Sequence, residues 1–183
     1  MGTALMALAY LTIAATVLRK TSVEALVVWT FIGGHFLLAL AAAITLREAS
    51  LSLAIAAQLL SLAWVIQRFE LPGLGWLLKV TVAVVIARLT LNPWLPAYPS
   101  DVHWSLWTYG GATVFAAAAA QVLKSYPTLR VWLGGASLHL MVLTLWSELR
   151  YQLYDGFVFS RQFVFSEAVV AMLMVASLGL VYR

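Results

Sequence analysis

Apolar residues run along this chain in seven stretches, at residues 3–18, 23–46, 51–66, 72–91, 104–123, 129–149 and 163–181. Most approach the ~20 residues that a helix needs to cross a hydrocarbon layer. They lack strict alternation and are rich in Ala and Leu, which fits helices and not barrel strands. The breaks between them are Arg19-Lys20, Arg47-Glu48, Arg68-Phe69-Glu70, Asn92–His103, Lys124–Thr128 and Tyr151–Gln162. None is long enough to hold a soluble domain. The pattern predicts one all-α domain over residues 1–183, a polytopic transmembrane helix bundle of about seven spans.

Composition agrees with the pattern. Only 10% of residues are charged and 63% are apolar, with a mean hydropathy of +0.95. A soluble domain carries about a quarter charged residues. The first stretch has no basic leader region and ends in Arg19-Lys20, which reads as a retained span and not a cleaved signal. Cysteine is absent, so disulfides and thiolate metal sites are excluded. The net charge of +4 comes from basic residues at the helix ends. It therefore marks topology, and no nucleic-acid partner is expected. No Gly-rich phosphate loop, His-Glu zinc motif or Gly-x-Ser-x-Gly elbow occurs, so no cofactor, metal or catalytic residue is assigned.

Short loops with basic residues mark the cytoplasmic side. Arg19, Lys20, Arg68, Lys124, Arg130 and Arg183 fall on one side, and Arg47, Arg150 and Arg161 on the other. The bias favours an outside N-terminus and a cytoplasmic C-terminus. The two longest connections then face outward, and both are aromatic: Trp94, Tyr98, Trp104, Trp107 and Tyr109 in and after the first, Tyr151, Tyr154, Phe157 and Phe159 in the second. Such rings belong at the headgroup level.

An ionisable group inside a span needs a partner or a reason. Arg88 and Asn92 lie one turn apart at the outer end of the fourth stretch. Glu148 and Arg150 close the sixth, and Glu167 opens the seventh. These residues are expected to converge in the outer third of the bundle, with Glu148 facing Arg88 in a bidentate contact. Glu148 and Arg150, two apart, point to different faces. The midplane holds His35, Gln58 and His139 without metal-ligand spacing, and each imidazole is expected to bond a neighbouring helix. Gly33-Gly34, Gly110-Gly111 and Gly134-Gly135 are expected to admit a close helix. Lys79, two turns inside its span, reads as a snorkelling lysine.

Several short motifs recur in order: Ala87-Arg88-Leu89-Thr90-Leu91-Asn92-Pro93, Trp104-Ser105-Leu106-Trp107-Thr108-Tyr109-Gly110, Leu145-Trp146-Ser147-Glu148-Leu149-Arg150 and Ser166-Glu167-Ala168. Their order resembles the C-terminal part of a large bacterial family of predicted multi-spanning membrane proteins of unknown function, over roughly residues 72–183. Members of that family are typically longer, so the resemblance implies a fragment or a minimal relative. It lends no activity, but it points to Arg88, Asn92, Trp104, Tyr109, Glu148, Arg150 and Glu167.

The expectation is a non-enzymatic envelope module of the bacterial inner membrane. It would contact membrane lipid and bind a lipid head group, a small ligand or a protein partner (a second copy included) through the outward polar cluster. A small transporter or channel subunit would instead link that cluster to Gln58, His35 and His139. An intramembrane enzyme would use Glu148 as acid or base beside Arg88 in an open pocket.

Overall fold

The computed structural model describes residues 24–46, 48–92, 103–155 and 165–181, together with Met6, Ala9 and residues 11–13. Among these residues every regular element is helical. Helix α1 is described at Met6, Ala9 and residues 11–13. Then come α2 (Glu24–Thr45), α3 (Glu48–Phe69), a 3₁₀ turn (Pro72–Leu74) leading into α4 (Gly75–Thr90), a π-helical segment (Ser105–Gly110) leading into α5 (Gly111–Val122), α6 (Pro127–Leu153) and α7 (Phe165–Val181). Most of the expected first span, most of the two long connections and the terminal Arg183 lie outside the described residues.

Four helices form a closed ring: α3 packs on α4, α4 on α6, α6 on α5, and α5 back on α3. Outside the ring, α2 leans on α3 and α7 on α6. Each ring helix turns one seam inward. The seams are Ala56, Leu59, Ala63 and Ile66 on α3, and Leu78, Val82, Val85 and Leu89 on α4. Those on α5 are Ala112, Ala116 and Ala119, continued by Leu123 just past its end, and those on α6 are Leu129, Leu133, Ala136 and Leu140. The alternating spacing of three and four is that of coiled-coil packing. Small alanines on α5 let it approach its neighbours closely, and a Cβ on Gly111 would fall on the Leu53 side chain of α3. The outward faces are equally apolar: Trp29, Phe36, Trp107 and Val114 are all exposed. A bundle apolar inside and out has lipid as its solvent.

Four helices are long and apolar enough to cross a membrane: Ala25–Thr45, Ser50–Phe69, Pro72–Thr90 and Pro127–Leu153. Residues 104–122 form one continuous helical run whose first part is π-helical. Helix α7 spans 17 residues.

Two turns fix the ends. Helix α3 closes with Glu70 in the left-handed region (φ 53°) and a bond from the Leu71 N–H to the Ile66 carbonyl at 3.3 Å. Leu71 is buried against the core. This is a Schellman closure with glutamate where glycine is usual. At the same end, Gln67 grips the α5–α6 turn: its amide nitrogen donates to the Ser125 hydroxyl at 2.9 Å, and its oxygen accepts from the Ser125 N–H at 3.2 Å.

The glycine pairs serve different purposes. A Cβ on Gly34 would meet Leu11 of α1. Contrary to expectation, Gly134 and Gly135 admit no helix among the described residues: a Cβ on either meets none of their atoms within 4 Å. Gly135 instead borders an open crevice between α6 and α4.

Candidate functional site

The polar residues that the sequence placed at the outer level gather at the end of the ring opposite Gln67 and Ser125, but as three separate groups.

The first group closes α4. The Leu89 carbonyl would ordinarily accept from the residue four positions on. That residue is Pro93, which has no N–H. The Tyr109 hydroxyl donates to this carbonyl at 2.9 Å, and Tyr109 is buried with its ring tilted against buried Trp104. The helix end before Asn92-Pro93 and the Trp104–Gly110 helix start are therefore parts of one joint. Asn92 lies half-buried just beyond it. Arg88 does not face Glu148. Its Nε donates to the Ser52 hydroxyl of α3 at 2.9 Å. The correction has a geometric cause. Thr90 bonds His139 of α6 at 3.0 Å, and Glu148 lies nine residues further along α6, about 13 Å at 1.5 Å per residue. Arg88, two residues before Thr90, points away from α6 and toward α3.

The second group surrounds Glu148. His103 Nε2–H donates to both carboxylate oxygens, at 2.9 and 2.7 Å. The Ser105 hydroxyl donates at 3.0 Å, and the Gln152 amide at 2.9 Å from one turn later on α6. The His103 ring stacks on Tyr151 at 4.2 Å, nearly parallel. Ser105 is fully buried, whereas the Glu148 and His103 side chains stay 28% and 36% exposed. The π-helical turn turns Ser105, Thr108 and Tyr109 inward and leaves Leu106 and Trp107 outside. Such turns often re-aim side chains at functional sites.

The third group pins α7. Arg150 Nε lies 3.4 Å from Glu167, and the Tyr154 hydroxyl donates to the same carboxylate at 2.8 Å. The Arg150 guanidinium rests over the Tyr154 and Trp146 rings, at 4.9 and 5.6 Å from their centroids. Glu167 is 4% exposed. A carboxylate this deep needs such donors.

The midplane residues do not meet as one site. His35 Nδ1–H donates to the Phe31 carbonyl at 3.0 Å, and its Nε2 lies 3.3 Å from the Ser61 hydroxyl of α3. His139 is exposed on the outside of α6, bonded to Thr90. Gln58 is buried on α3, and its amide nitrogen has no hydrogen-bond partner among the described residues.

Sequence reasoning missed His103, Ser105, Gln152 and Ser52. His103 was the findable one: a histidine immediately before the Trp104 helix start must sit at the level of the other polar groups.

A ring of apolar helices with polar side chains gathered at one end and lipid-compatible outer faces defines an all-α, membrane-type bundle. The chain belongs to the predicted membrane protein family DUF2339, whose family model matches residues 1–183. The match covers the whole chain, further than the motifs over residues 72–183. No curated protein and no solved structure matches it.

Proposed function

We propose that the chain is a non-enzymatic module of the bacterial inner membrane that binds an ammonium-bearing ligand, foremost a lipid head group, at Glu148 on its outward face. The supporting observation is the state of that carboxylate. Three side chains hold it in one orientation, yet it stays 28% exposed beside the flat His103–Tyr151 stack. A preorganised anion next to aromatic faces suits an ammonium group.

The other readings draw less support. A general base must take up a proton, whereas the three donors on Glu148 hold it ionised, which suits a cation better than proton transfer. Ser105, the neighbouring hydroxyl, is fully buried and directed at Glu148. A transport path would join His35 and His139, which are tied to different neighbours on different helices. The buried Arg150–Glu167 pair fits a structural pin for α7.

The test is thermal unfolding in detergent with added phosphatidylethanolamine or phosphatidylglycerol. Ligand that binds only the folded state raises the midpoint. The ethanolamine lipid should stabilise the wild type more than the glycerol lipid does, and Glu148→Gln should abolish the difference. Equal stabilisation of wild type and variant by both lipids would remove the proposal.

A further inference from the structure

We infer a second lipid site, independent of the outer cluster, in the crevice between α4 and α6 toward the opposite end of the bundle. It takes the acyl chain of an anionic phospholipid, with the phosphate at Lys79.

The crevice is lined by Val82 and Ile86 of α4 and by Val131, Trp132, Gly135 and Ala136 of α6, and has a volume of about 350 Å³. It opens on the outside of the ring, where the bundle's solvent is lipid. Its floor is low because Gly135 has no side chain, and a Cβ there would meet nothing within 4 Å among the described residues. Val82 and Ile86 lie one and two turns above Lys79 on the same face of α4. The Lys79 ammonium rests over the Trp132 ring, 5.6 Å from its centroid. The described residues offer it no carboxylate.

The setting supplies the sign of the ligand. Among the described side chains, this end of the bundle carries exposed Arg68, Lys124 and Arg130 against one exposed acid, Glu70. An apolar channel that ends at a cation and a tryptophan matches a phospholipid in both halves. Methylenes fill the groove, the indole lies at the carbonyl level, and the ammonium meets the phosphate. A zwitterionic lipid would bring its own cation to a face already positive, so the charge balance selects an anionic head group. An apolar helix from a second copy would fill the groove but leave the lysine unanswered.

Native mass spectrometry of the detergent-purified chain tests this with phosphatidylglycerol and phosphatidylcholine of matched acyl chains. Wild type should retain phosphatidylglycerol about fivefold better, the worth of one basic residue at an anionic surface. Lys79→Gln should bring the two lipids to parity. Lys124→Gln, at the same end but outside the crevice, should leave the preference intact. Gly135→Leu, whose side chain enters open space, should lower retention of both lipids without lowering the unfolding midpoint. Equal retention of the two lipids by wild type would overturn the inference. So would a Lys79→Gln protein that keeps its preference, or a dimer that excludes lipid and is lost in Gly135→Leu. The lysine arm reads the same site if the glycine variant fails to fold. Glu148→Gln should change none of these results, so this site and the outer one can fail separately.

Discussion

At the scale of single residues, the donors around a carboxylate decide what it can do. Glu148 is held by His103, Ser105 and Gln152, and half-exposed pairs of this kind couple weakly. A double-mutant cycle between Glu148→Gln and His103→Ala should therefore yield a coupling of about 0.5–1 kcal/mol in detergent unfolding. The cycle between Glu148→Gln and Arg88→Leu should be additive, because Arg88 answers to Ser52. Tyr109→Phe should cost about 1–3 kcal/mol, because it orphans the buried Leu89 carbonyl that Pro93 cannot serve. Which polar residues matter was legible from the sequence, because charge inside an apolar run stands out. Their partners were not. Pairing Arg88 with Glu148 assumed that helices ending on one side end at one level, whereas α6 runs 27 residues and carries Glu148 well beyond the end of α4.

At the scale of elements, helix ends and docking contacts carry the differences in stability. Glu70 closes α3 in the left-handed region, which disfavours any side chain. Glu70→Gly should raise the unfolding free energy by about 1 kcal/mol. Among the described residues helix α7 packs chiefly on α6, and its deepest polar contact is Glu167 with Arg150 and Tyr154. Glu167→Gln should free α7 selectively, with hydrogen exchange accelerating over residues 165–181 while the α3–α5 contact stays protected. The helices themselves were legible from hydropathy, since polar breaks frame each one. The inward seams were not. In a soluble helix the buried stripe contrasts with a polar face, but here Ala116 and Leu133 face inward while Val114 and Trp132 face outward. Both sides are apolar, so periodicity has little contrast to report. The same effect misled the reading of Gly134-Gly135, which resembles a packing motif and forms an open groove.

At the scale of the whole molecule, the ring has two chemically distinct ends. One carries Arg68, Lys124, Arg130 and the Gln67–Ser125 clasp. The other carries Glu148, Arg150 and Glu167 with their partners. Both binding proposals depend on these ends facing opposite sides of a membrane, with the basic end cytoplasmic. The absence of cysteine makes this directly measurable, because any introduced thiol is the only one. Single-cysteine variants Ser125→Cys and Gln152→Cys, both at exposed positions, can be treated in intact cells with a membrane-impermeant maleimide. Gln152→Cys should label from outside and Ser125→Cys only after permeabilisation. Labelling of both from the same side would contradict the account.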